Sequence, residues 1–174
     1  MLDTAIAFTR YSFIGNEFLT WLWFMIDTHP SFFNTVDKAL TSLDIGNRIV
    51  LENRDNDNRE IITIKGDDAG LEEGFLSLKK GALVIEINLS FKADQQEWTF
   101  TLKGNCLGFS ALKVPPTGPV ANKEDIEGAL LEKIYLYDRT FGLIDGVFLF
   151  YLKQRVSPQW RNEIVPEMKN WILA

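Results

Sequence analysis

Cysteine and histidine are almost absent from this chain: one of each, Cys106 and His29, in 174 residues. A lone cysteine excludes an internal disulfide and a thiolate metal centre, and it fits a reducing compartment. A lone histidine leaves a Ser-His-Asp or Cys-His mechanism, or a catalytic zinc, short of its usual residues. His29 stands just before Pro30 and reads as a helix-terminus residue. Long apolar runs are missing as well. The stretch from Trp21 to Ile26 falls far below the roughly 18 residues that a membrane span requires. No basic segment precedes an apolar core at the N-terminus, so no secretory signal is expected. Positive charge is scarce: 18 Lys and Arg stand against 24 Asp and Glu, for a net charge of −6. Phosphate binding relies on clustered Lys and Arg, so a broad nucleic-acid face is not expected, although a local stripe remains compatible with this balance. These absences predict a cytoplasmic protein that is not an enzyme, binds no cofactor or metal and has no membrane partner.

The motif search gives the same answer. Asn53, Asp55 and Asp57 have the start of a calcium-loop spacing, but Asn58 and Ile64 stand where glycine and a bidentate glutamate are needed. Gly66-Asp67-Asp68-Ala69-Gly70 does not match a phosphate-cradling loop. Gly108-Phe109-Ser110 lacks the second glycine of a nucleophile elbow. The carboxylates at Glu72, Glu73, Glu86, Glu97, Glu124, Asp125, Glu127, Glu132, Asp138 and Asp145 read as solvated surfaces rather than a catalytic pair.

What is present describes one α+β domain over residues 1–174. Phe18, Leu19, Leu22, Trp23 and Ile26 have helical spacing, so a helix is predicted over Glu17–Asp27, with Asn16 as N-cap and His29-Pro30 as its end. Ser31 is expected to cap a short helix through Leu40. From Arg48 to Lys65 the period changes to that of a hairpin, with a polar turn at Arg54–Arg59. A helix is predicted over Asp67–Lys80, closed by Gly81. Leu83–Lys92, Trp98–Leu102 and Leu107–Val114 form a three-stranded meander. Leu83, Ile85, Ile87, Leu89 and Phe91 share one face, and Glu86, Asn88, Ser90 and Lys92 the other. Pro115–Pro119 is an internal linker. Helices are then expected over Asn122 to about Tyr137, about Asp138 to Arg155, and Pro158–Ile172. The fold is therefore an antiparallel sheet, hairpin plus meander, with one inserted helix, an N-terminal helix and a C-terminal helical section.

Two sets of residues stand out. Arg48, Arg54, Arg59 and Lys65 lie on the hairpin, Lys79 and Lys80 end the inserted helix, and Lys92 and Lys103 point outward from the meander. If hairpin and meander share a sheet, these cations make one patch. Trp21, Trp23 and Phe24 form an aromatic cluster suited to core packing or to burial against a partner.

The run Ile62–Glu73, with Leu78-Lys79-Lys80-Gly81 and the alternating strand to Phe91, resembles the C-terminal part of the RdgC family of recombination-associated proteins. Leu112-Lys113 and Tyr137–Gly146 are similar to further motifs of that family. Ile14–Trp23 is similar to a stretch in its divergent relatives. The resemblance implies non-catalytic, sequence-independent binding of double-stranded DNA by a ring-shaped, cation-lined dimer of the nucleoid. The phosphate contacts would be Lys65, Lys79, Lys80, Arg48 and Arg59. The sequence departs from the family where Gly66 and Asp67 replace a polar pair and Ala82 replaces a lysine, and the N-terminal portion of longer members is not represented. Each lost cation removes about one counterion's worth of salt-dependent affinity. The alternative expectation is an interaction or assembly module that keeps the scaffold and uses Trp21, Trp23 and Phe24 to bury a protein partner or a second copy. The partners to be expected are thus duplex DNA or a homo-oligomer.

Overall fold

Alternation sets the strands. The computed structural model describes residues 13–55, 58–65, 68–119 and 122–174. β1 (Leu40–Asp55), β2 (Asn58–Lys65), β3 (Leu83–Ala93), β4 (Gln96–Lys103) and β5 (Gly108–Lys113) form one antiparallel sheet in the order β2-β1-β3-β4-β5. Hairpin and meander are joined edge to edge by the β1–β3 pair, as the α+β reading requires. β1 begins well before the predicted hairpin. Its first half pairs Leu43 with Phe91 and Ile45 with Leu89, and irregularities between Ile45 and Ile49 re-aim the strand so that Ile49 returns to the core face opposite Ile87. The predicted short helix to Leu40 is therefore corrected: a 3-10 turn over Pro30–Phe32 and α2 (Phe33–Val36) precede the strand. The β3–β4 turn is two residues, Asp94 and Gln95, both at positive φ, which matches the right-handed twist of the flanking strands. The N-terminal segment, Asp57, Gly66 and Asp67, about which the sequence raised expectations, lie outside the described residues.

One face of the sheet carries Leu43, Ile49, Leu51, Ile64, Val84, Ile87, Leu89, Phe91, Trp98, Phe100 and Leu102, all buried. Against it lies α1 (Phe13–Thr28). Between Phe18 and Met25 every residue of this helix except Thr20 is buried, and so apolar a stretch must be covered on most sides. Sheet strands close one side. The other is closed by α3 (Asp68–Lys79), α4 (Lys123–Arg155) and α5 (Val165–Leu173). Phe18 meets Phe148 and Tyr151 of α4, and Trp23 meets Phe75 of α3 and Trp171 of α5. Trp21, Trp23 and Phe24 are thus core residues at 0–2% exposure, which corrects their expected role as a partner face. Trp21 also has a hydrogen-bond partner, donating its Nε1–H to Gln154 at 2.8 Å.

Asn16 is not a cap. The helix starts earlier, and the Asn16 carbonyl accepts from Thr20 Oγ1 inside it. The sequence around it instead serves close approach: a Cβ added at Gly15 would overlap the carbonyl oxygen of Gly104 in the β4–β5 turn. The inserted helix ends as expected, with Gly81 at φ 89°. The two helices expected between Asn122 and Arg155 are one. Asn122 caps it reciprocally with Asp125, and neither Asp138 nor Arg139 breaks a helix. Thirty-three residues make it about 50 Å long. The last predicted helix is present from Pro158, with a wide turn at Trp160–Ile164 ahead of α5.

A polar lock fixes α4 on α1. Glu17 Oε1 accepts from the Tyr151 hydroxyl at 2.6 Å and from Arg155 Nε at 2.5 Å, and Arg155 lies over the Trp160 ring. Burial, reinforced by the Glu17 carboxylate, raises the Tyr151 hydroxyl well above its ordinary value near 10. The folded chain therefore holds this proton after the unfolded chain releases it. The stability so contributed is complete below about pH 10 and is lost as the pH rises further. Chemical denaturation above pH 10 should show stability falling more steeply in the wild type than in Tyr151→Phe, by about 1.4 kcal/mol per pH unit; parallel curves would refute this. Gly15→Ala should lower stability by about 2–3 kcal/mol in the same assay, because the clash is with backbone and cannot be relieved by a rotamer change.

Candidate interaction surfaces

The second face of the sheet is mostly polar, with Val50, Glu52 and Thr101 buried within it and Arg48, Lys65, Lys92 and Glu97 exposed. Register places Arg48 opposite Lys65, Val50 opposite Thr63 and Glu52 opposite Ile61, all on this face. Glu86, Asn88, Ser90 and Lys92 of β3 and Lys103, Thr101, Thr99 and Glu97 of β4 continue it in register. Three of the five residues expected to hold phosphate, Arg48, Arg59 and Lys65, are therefore brought together here. Lys79 and Lys80 are not. They end α3, which packs on the opposite, core side of the sheet through Phe75 and Trp23.

Two of the three are also engaged. Arg48 pairs with Glu86 at 3.4 Å, and Arg59 pairs with Glu52. The Glu52 side chain is almost wholly buried while Arg59 is largely exposed, so the guanidinium lids a carboxylate that has left solvent. A cavity of about 300 Å³ adjoins this pair, lined by Asn16, Ile85, Glu86, Lys103 and Asn105 as well. The face thus carries both signs in close alternation rather than one cationic track.

The lone histidine and cysteine both lie at the surface. His29 is exposed, with Nδ1 at 2.7 Å from Thr28 Oγ1. Cys106 is exposed in the β4–β5 turn. Asn53 and Asp55, which began the calcium-like spacing, are ladder residues paired with Glu60 and Asn58. Among the described residues, no three His, Cys, Asp or Glu are grouped to hold a metal.

The surface that sequence reading missed is on α4. From Leu136 onward the helix is held against the body: Trp98 donates to the Leu136 carbonyl at 3.1 Å, Arg139 bridges Asp37 and Asp94, and Leu143, Ile144, Val147 and Tyr151 are buried. Before Leu136 the helix runs on past the core. Ile126, Leu130, Leu131, Ile134 and Tyr135 are 48–68% exposed. The linker lies beside this half, Gly118 N–H donating to Glu132 at 3.3 Å, but it leaves those side chains uncovered. The signal was present in the sequence. Apolar residues at 126, 130, 131, 134, 135 and 136 occupy more of the helix circumference than one buried face needs.

No family model, curated protein or solved structure matches this chain. No helix among the described residues is long and apolar enough to cross a membrane.

The Glu52–Arg59 pair gives a direct check of the polar face. Arg59→Ala removes the cation from a buried carboxylate and should cost about 2–3 kcal/mol, whereas Arg48→Ala, breaking a surface pair, should cost less than about 1 kcal/mol. A double-mutant cycle with Glu52→Gln should recover most of the first loss and none of the second; equal costs for the two arginines would contradict this reading.

Proposed function

We propose that this chain is a non-catalytic interaction module that presents the outer half of α4 to a protein partner. The observation that carries the proposal is the exposure of five large apolar side chains, Ile126, Leu130, Leu131, Ile134 and Tyr135, on a helix that is capped and regular. A contiguous exposed patch of this kind marks a binding surface on a soluble domain. A helix gains nothing for its own fold by carrying leucine and isoleucine into water, and burying each on a partner is worth about 1.5–3 kcal/mol. Trp21, Trp23 and Phe24 support the proposal indirectly: they build the layer on which α4 is seated.

A second reading keeps the resemblance to RdgC and assigns duplex DNA to the polar sheet face. It is favoured by the placement of Arg48, Arg59 and Lys65 together with Lys92 and Lys103 on that face. It ranks second because Arg48 and Arg59 are engaged by Glu86 and Glu52, Lys79 and Lys80 lie on the far side, and the chain is acidic overall.

Two experiments separate these readings. Under the first, Leu131→Ser with Tyr135→Ser leaves thermal stability within about 0.5 kcal/mol of wild type, as substitutions away from the core do, and abolishes binding of a hydrophobic dye. A loss of several kcal/mol would mean that these side chains serve the fold, and would end the proposal. Under the second, the chain retards duplex DNA at low salt, and Lys65→Glu with Lys103→Glu weakens retardation. Absence of retardation at low salt would dismiss that reading.

A further inference from the structure

We infer that the partner of α4 is a cationic amphipathic helix, neither a second copy of this chain nor a nucleic acid. The inference rests on the reading of α4 as an interaction surface and goes on to the chemistry of what covers it. Glu127, Leu131, Ile134, Asp138, Asp145 and Leu149 follow one another at spacings of four, three, four, seven and four residues. That spacing sets them along one side of the helix, away from the buried Leu136, Thr140, Leu143 and Val147. The seam runs about 33 Å. All six residues are exposed, and they run as one acid, two aliphatics, two acids and one aliphatic. Gly142 leaves a step in the seam, since an added Cβ there would meet nothing.

The sign of this seam selects the occupant. Between residues 126 and 150 the helix has only two basic residues. Lys133 lines the groove beside the linker, and Arg139 is held between Asp37 and Asp94. Neither reaches the seam, and the next basic positions on its side, Lys123 and Lys153, stand one turn beyond its two ends. A parallel pair of copies would set Asp138 against Asp138 and Asp145 against Asp145. An antiparallel pair centred on the seam would set Asp138 against its own copy, and one centred two residues earlier would set Glu127 against Asp145. One centred two residues later would match Glu127 with Lys153 but leave Asp138 and Asp145 without a cation. Like charges brought together, or carboxylates dried without a partner cation, oppose such pairs. Phosphate is refused for the same reason. A helix with Lys or Arg interleaved among its leucines satisfies both halves of the pattern. Its aliphatic stems cover Leu131, Ile134 and Leu149 while its charged heads reach the carboxylates.

The test uses the full chain and two labelled synthetic peptides of matched length and apolar pattern, one Leu/Lys and one Leu/Glu, read by fluorescence anisotropy, with sedimentation of the chain alone. The Leu/Lys peptide should bind and the Leu/Glu peptide should not. Asp138→Asn with Asp145→Asn should weaken binding about tenfold, and Leu131→Ser by a similar factor. Glu72→Gln with Glu73→Gln, the same change of net charge placed on α3, should change it less than about twofold. Equal weakening by the α3 pair, or equal binding of the Leu/Glu peptide, would overturn the cationic-helix assignment. A chain that sediments as a dimer dissociated by Leu131→Ser would overturn it in favour of a second copy while leaving α4 as the interaction surface. Leu131→Ser without effect on peptide binding or on association would remove both.

Discussion

The structure depends on covering the apolar run of α1 from Phe18 to Met25. Phe18, Leu19, Trp21, Leu22, Trp23, Phe24 and Met25 occupy consecutive turns without a polar face among them. A helix of that composition is stable only as a middle layer, and everything around it follows from the requirement. The sheet supplies one lid through β1 and β3, while α3, α4 and α5 supply the other. Aromatic edges and faces join the layers, from Phe18 against Tyr151 to Trp23 against Trp171. Several polar groups on and around α1 have partners: Trp21 with Gln154, Trp171 with Asp27, and Glu17 with Tyr151 and Arg155.

Covering α1 uses only the C-terminal half of α4. The remaining turns are longer than the core needs, yet Asn122 and Asp125 cap them as a proper helix start and the apolar pattern does not fade. The contrast with the polar sheet face is physical. There, Arg48 and Arg59 have carboxylate partners and Asn88 donates to the Phe100 carbonyl and to Thr101. On the outer half of α4, side chains that prefer burial are left without it.

Much of this fold was legible in the sequence, because period-two alternation holds from Ile87 to Ala93 in β3 and through most of β4, and Gly81 and the Asp94-Gln95 turn punctuate it. At the start of β3 the expected face is corrected, since Val84 is buried while Leu83 is exposed and Ile85 only half-buried. The first half of β1 was not legible. Its pairing with β3 passes through bulges, which break the alternation that would announce it. The false break at Tyr137–Asp138 came from a charged pair, Asp138 and Arg139, that solvent and Asp37 accommodate without ending the helix. The aromatic cluster at Trp21–Phe24 was recognised, but its surroundings were not, since spacing alone does not say whether a second layer comes from the same chain. The five selected cations fell on two sides for a related reason. Lys79 and Lys80 follow a helix whose side of the sheet is set by Phe75 and Trp23, long-range contacts that no local pattern records. The exposed half of α4 was missed because an apolar helix reads as buried until the core runs out.

One consequence follows from α4 being a single uninterrupted rod. Its outer turns touch the rest of the chain through the linker at Glu132 and Lys133, while its inner end is pinned to α1 by Glu17, Tyr151 and Arg155 and its middle to the sheet by Trp98 and Arg139. No hinge lies between these points. Whatever grips Leu131 therefore takes hold of a lever whose fulcrum is at Leu136, and the orientation imposed there is handed rigidly to the sheet, fixing where its polar face points in any assembly the chain enters.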